Sequence, residues 1–226
     1  RITAQLIQVS DQTHLWAENY ERDLKDIFAL QSDVAERVAG SLTVELLPGA
    51  VSTSAPARPI NPAAHEAYLK GRFYWNKRTP DGLKKAVEYF EQAIALDPDW
   101  PLGYAGLADA YVLMPWYAPV RPSEAMPKAR TAAAKALEMD ESLAEAHASL
   151  GWIASVYDWD GPIAEREYER AIALSPNYAT AHHWYAVHLL YTGRHDEAIR
   201  EITKAQQLDP LSLIIGNVVG AAHYFA

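Results

Sequence analysis

Ala86-Val-Glu-Tyr-Phe90-Glu-Gln-Ala93-Ile-Ala-Leu-Asp-Pro98 decides the fold, because three later stretches repeat its pattern. They are Ala129-Arg-Thr-Ala-Ala133-Ala-Lys-Ala136-Leu-Glu-Met-Asp-Glu141, Ala164-Glu-Arg-Glu-Tyr168-Glu-Arg-Ala171-Ile-Ala-Leu-Ser-Pro176, and Ala198-Ile-Arg-Glu-Ile202-Thr-Lys-Ala205-Gln-Gln-Leu-Asp-Pro210. In each, two alanines seven residues apart flank a central position, filled by Phe90, Ala133, Tyr168 or Ile202. That spacing puts one stripe on a helix face. Alanine lets a second helix approach closely, and the larger residue fills the space beside it. Proline then ends the helix, since it lacks the amide hydrogen a helix interior requires.

A partner helix precedes each phrase. Leu107-Ala108 with Tyr111, Leu150-Gly151 with Ala154, and Tyr185-Ala186 with Leu189 share an apolar-small spacing, and Gly71 with Tyr74 gives a looser first copy. The small residues Ala108, Gly151 and Ala186 fall 43 and 35 residues apart. This pattern resembles the tetratricopeptide repeat, whose period is about 34 residues. The resemblance spans residues 62–226 and predicts a mostly α chain wound as a right-handed α–α superhelix, in units of about 64–100, 101–143, 144–178 and 179–212, with a partial unit 213–226. Two irregularities stand out: a longer turn from Asn76 to Gly82, and an insertion from Trp116 to Glu124 carrying Pro119 and Pro122. Both are expected on one edge of the array, as candidates for specific contacts.

Upstream, Ile2 to Val9 alternates with period two, Ser10-Asp11-Gln12-Thr13 is a turn cluster, and His14 to Tyr20 reads as a second strand. Asp26 then caps a helix carrying Ile27, Leu30, Val34, Val38 and Leu42, which ends at Pro48-Gly49. Arg1-Ile2-Thr3-Ala4-Gln5-Leu6-Ile7, His14-Leu15-Trp16-Ala17-Glu18, Tyr20, Arg22-Asp23-Leu24, Asp26-Ile27-Phe28 and Gln31 resemble the end of the TolB-like domain. That domain precedes tetratricopeptide arrays in bacterial class III adenylate cyclases and winged-helix regulators, so the resemblance implies that residues 1–47 end such a domain within a larger protein. Residues 48–61, with three prolines among small residues, read as a linker.

Bulk properties narrow the function classes. Net charge is -9, and no clustered basic face points to nucleic acid. No run of about 18 apolar residues exists, so no membrane partner or span is expected. The chain has no cysteine, which removes disulfide scaffolds, thiol catalysis and cysteine-ligated zinc, and fits a cytoplasmic setting.

Catalytic patterns are missing: no phosphate loop, dinucleotide glycine motif or nucleophile elbow occurs. His182, His183 and His188 have offsets that do not share one helical face, so packing is expected rather than metal ligation. Asp158-Trp159-Asp160-Gly161 lacks the further oxygen ligands of a calcium loop and reads as a turn between helices. Glu165, Glu167 and Glu169 with Arg166 and Arg170 read as a solvated face. No cofactor, metal or catalytic residue is expected, and the chain is read as a non-enzyme.

The resemblance instead implies a partner-binding concave groove lined by the first helix of each unit. By register it comprises Tyr68, Arg72, Trp75 and Asn76, then Asp109 and Leu113, then Glu145 and Trp152, then His183, Val187 and Tyr191. Trp152→Ala and Arg72→Ala are expected to fold normally and lose the partner. The places that hold the lysine–asparagine carboxylate clamp in some relatives are Tyr68, Ala105, Asp109 and Ser149 here, so that clamp is missing. The function expected is a protein- or peptide-binding scaffold of a bacterial signalling or transcriptional protein. The alternative is a self-association or domain-positioning module, through the uncapped helix that begins at Leu213 or through the hairpin edge.

Overall fold

The computed structural model describes residues 2–7, 14–20 and 61–225. The chain divides into two compact units, residues 1–62 and 63–226. In the first, β1 (Ile2–Ile7) and β2 (His14–Tyr20) pair antiparallel, Ile2 opposite Tyr20 and Leu6 opposite Trp16, with a register shift between Leu6 and Ile7. The helix expected after Asp26 and the linker up to residue 60 lie outside the described residues.

The second unit is a run of antiparallel helix pairs: α1 (Pro62–Asn76) with α2 (Pro80–Leu96), α3 (Pro101–Tyr117) with α4 (Pro122–Met139), and α5 (Ala144–Ile153) with α6 (Gly161–Leu174). Then come α7 (Ala179–Tyr191) with α8 (His195–Leu208), and α9 (Leu213–Phe225). Four second-helix ends share one geometry. The amides of Asp97, Asp140, Ser175 and Asp209 each donate to a carbonyl four residues back, at Ala93, Ala136, Ala171 and Ala205. The second of these stops has Glu141 in place of proline; there the Asp140 carboxylate accepts from both the Ser142 amide and hydroxyl, which turns the chain instead. The Trp116–Glu124 insertion is divided: Trp116 and Tyr117 end α3, which runs through Pro115, residues 118–121 connect, and Pro122 to Glu124 open α4.

Phe90, Tyr168 and Ile202 are fully buried at the centre of their phrases. The aromatic two depend on glycine for their fit. A Cβ on Gly71 or on Gly106 would lie 2.5 Å from the Phe90 ring, and one on Gly151 would lie 2.9 Å from Tyr168. The repeat therefore works as a wedge: α1 and α3 both close on one aromatic ring from α2, with only hydrogen on the two contacting faces.

A second repeated device joins first and second helices. His147 Nδ1 lies 2.8 Å from Glu167 Oε2 and its Nε2 3.1 Å from the Glu141 carbonyl. His182 repeats this with Glu201 at 2.6 Å and the Pro176 carbonyl at 3.0 Å. The expected packing role of His182 thus includes a specific polar clasp. Glu167 departs from the solvated face expected of it, because α6 turns it toward α5, where its side chain is only 14% exposed.

Both His147 nitrogens face acceptors, an arrangement that favours the imidazolium, in which both donate. The Glu167 hydrogen bond raises His147 above its ordinary 6.5, against burial and Arg170, while His147 in turn lowers Glu167 below 4.5. The stabilising charge on His147 is therefore fully present below pH 6.5 and is lost as pH rises through its raised folded value; that on Glu167 is lost as pH falls through its lowered one. Melting temperature followed across pH should hold a plateau between the ordinary values of the two groups, 4.5 and 6.5, and fall on either side. His147→Gln should flatten the alkaline limb; an unchanged alkaline limb would show that this clasp contributes nothing.

Candidate functional site

Asp109, on α3, organises the inner face of the array. Its side chain is wholly buried. Arg72 Nη1 of α1 donates to Oδ2 at 2.7 Å, Ser149 Oγ of α5 donates to Oδ1 at 2.7 Å, and the Tyr178 hydroxyl, just before α7, reaches Oδ2 at 3.5 Å. The Trp75 indole N–H donates to the Asp109 carbonyl at 2.9 Å. One residue thus ties together the first helices of successive units. Burial pushes its carboxyl up, opposed by the Arg72 charge and the Ser149 hydroxyl; Asp109 in turn holds Arg72 above its usual value against the desolvation that is the largest influence on it.

Beside this tie runs an aromatic chain. Trp75 approaches Trp184 with ring centroids 6.5 Å apart, Trp184 approaches Trp152 at 5.1 Å, and Trp152 approaches Trp116 at 6.0 Å. Two cavities open on the same face. The first, of about 540 Å³, is lined by Arg72, Trp75, Asn76, Lys77, Arg78, Thr180, His183, Asp209 and the start of α9. The second, of about 330 Å³, is lined by Arg78, Leu113, Trp116, Tyr117, Trp152, His183, Trp184, Val187, Tyr191, Ile214, Asn217 and Val218.

The residues expected in the groove divide accordingly. Arg72, Trp75, Asn76 and His183 line the first cavity; Leu113, Trp152, His183, Val187 and Tyr191 line the second. Tyr68, Asp109 and Glu145 line neither. Tyr68 packs against Phe90 and Trp100, at 5.6 and 5.2 Å, and burial pushes its hydroxyl up to about 12. Glu145 is half-buried, and burial raises its carboxyl. Arg72→Ala would strand the buried Asp109 carboxylate, so it does not serve as a neutral groove probe. Trp152→Ala has the same defect, since Trp152 is 7% exposed and packed between two other tryptophans.

Arg78, Tyr117, Trp184, Ile214 and Asn217 are lining residues that the register does not supply. Arg78 and Tyr117 fall at or just past the ends of first helices, beyond the one- and two-turn positions of the groove pattern. Trp184 is the immediate neighbour of His183, yet both are buried because α7 is enclosed all round from Ala181 to Ala186.

Residues 67–99 match the family model described as the tetratricopeptide repeat. A thermophilic TPR protein of Thermus thermophilus superposes with a TM-score of 0.58 at 20% identity, covering 88% of this chain and 97% of that one. The helical unit has the fold of a tetratricopeptide-repeat array, and residues 67–99 match the repeat itself. The wedge at Phe90, its contact with Gly71 and the cap at Asp97 all fall within this matched repeat. Over 149 residues the chain is 29% identical to the transcriptional regulator HilA of Salmonella typhimurium, covering 66% of this chain and 27% of that protein. Over 108 residues it is 29% identical to a putative adenylate cyclase 3 of Rhizobium meliloti, covering 48% and 18%. The chain thus spans about a quarter or less of these relatives. Among the described residues, no helix is long and apolar enough to cross a membrane.

Proposed function

We propose that the tetratricopeptide-repeat array is a non-enzymatic scaffold that binds a protein or peptide segment in its inner groove, as part of a larger bacterial signalling or transcriptional regulator. The observation that carries this reading is the second cavity, where tryptophan, tyrosine and valine side chains from three successive units and from α9 converge on one opening. Aromatic residues supply most of the affinity at protein interfaces, provided a pocket keeps them from water. The relatives HilA and the putative cyclase support the regulatory setting, and the TolB-like resemblance of residues 1–47 supports the same setting from the other end of the chain.

Tyr191 is the residue to test, because it lines this cavity while 60% exposed, so its loss leaves the core intact. Peptides selected from a displayed random library should bind Tyr191→Ala about tenfold or more weakly than wild type, at an unchanged melting temperature. Selected peptides that bind both proteins equally would place recognition elsewhere.

A second reading, self-association, rests on exposed apolar residues around α9: Leu211, Leu213, Tyr224 and Phe225 are 62–89% exposed. Light scattering that returns a monomer at every concentration sets it aside.

A further inference from the structure

The turn between α1 and α2 reverses the chain over Lys77, Arg78 and Thr79. The Lys77 and Arg78 amides donate to the Tyr74 and Trp75 carbonyls, and Arg78 is left at φ 51°. The corresponding turn after α7 uses Gly193, at φ 76°. Glycine adopts this left-handed conformation freely, whereas a side chain there is strained. At Arg78 the strained residue carries a charge. Its guanidinium lies 3.7 Å from the Trp75 ring centroid. Among the described residues no carboxylate forms an ion pair with it; the Asp109 carboxylate nearby is already bound by Arg72 and Ser149.

Burial lowers Arg78 to about 10, so it stays protonated at neutral pH. Burial and the Arg78 charge hold His183 down to about 3, so that ring is neutral and leaves Arg78 the single cation shared by the two cavities. Both cavities are lined by Arg78, His183 and Ile214. A chain that fills both cavities therefore passes Arg78 midway, where it offers a side chain rather than an end.

We infer that Arg78 receives an internal aspartate or glutamate of an extended peptide, and that an apolar neighbour of that acid seats among Trp116, Trp152 and Trp184. This rests on the groove reading above and specifies its ligand. A partly desolvated guanidinium offers a paired, charge-assisted bond to a carboxylate, which a neutral side chain cannot replace.

The test is an affinity selection on the full chain with acetylated, amidated random peptides, followed by anisotropy titration of the best binder. Selected sequences should carry Asp or Glu beside an aromatic or aliphatic residue. Changing that Glu to Gln should weaken binding roughly 10- to 100-fold, R78Q should do the same, and the two together should weaken it no further. If R78Q lowers the melting temperature, the Glu-to-Gln peptide against wild-type protein decides the matter alone. Binders that respond to Tyr191→Ala but show no acidic preference, or no loss with that Gln, overturn the Arg78 assignment and leave the groove standing. Binders indifferent to Tyr191→Ala overturn both. An acidic requirement met only by a free C-terminus, in a parallel library without amidation, overturns the internal side chain.

Discussion

Asp109→Ala should lower the stability of the array by about 3–5 kcal/mol, the loss expected when one partner of a buried ion pair is removed. The carboxylate has no solvent contact, and Arg72, 22% exposed, has no other acid within an ion-pair distance among the described residues. Ser149 donates to the same carboxylate, so its loss loosens the first helices of successive units together, while the Trp75 bond to the Asp109 backbone carbonyl is kept. The effect should appear in chemical denaturation followed by both circular dichroism and tryptophan fluorescence. Arg72→Met combined with Asp109→Leu should recover most of the loss, because an apolar pair of similar volume avoids the desolvation that both charges suffer. A double variant as unstable as Asp109→Ala would mean that the charges themselves, and not their mutual compensation, hold the units.

Phe90→Ala should cost about 3–5 kcal/mol, from lost burial together with the cavity left between α1 and α3. The glycines make a sharper test. Gly106→Ala places a methyl group 2.5 Å from the Phe90 ring, which cannot retreat because Gly71 is equally close to it. Alone, this variant should cost about 1–3 kcal/mol through overpacking. In the Phe90→Ala background the same methyl enters empty space, so its cost should vanish or change sign. Additive losses would contradict the wedge geometry.

The repeat is legible in the sequence because its constraint is local. Two alanines around Phe90, Tyr168 or Ile202, followed by a proline, specify a helix face and its end within thirteen residues. The stop at Asp140 without proline is not, since the side chain that replaces proline there is an ordinary aspartate. The groove is legible only in part. Its lining depends on superhelical curvature, which brings Arg72 to Asp109 and Tyr178 to Asp109 across 37 and 69 residues. Nothing in the local pattern of α3 distinguishes Asp109 as a buried tie from an acid facing solvent. The inner helices are also apolar on nearly every side. In α7, six consecutive residues from Ala181 are buried, so helical periodicity cannot separate Trp184 from His183. Arg78 is hidden from a sequence reading because what marks it is a backbone angle and the absence of an ion-pair partner among the described residues.

The central claim, that the array binds a peptide on its inner face, is tested most directly by the tryptophan indole N–H resonances. Trp116, Trp152 and Trp184 line the second cavity, whereas Trp100 packs against Tyr68 in the first unit and Trp159 stands 81% exposed on a turn. On titration with a selected peptide, the indole signals of Trp116, Trp152 and Trp184 should shift while those of Trp100 and Trp159 stay in place. Shifts confined to Trp100 or Trp159 would contradict it.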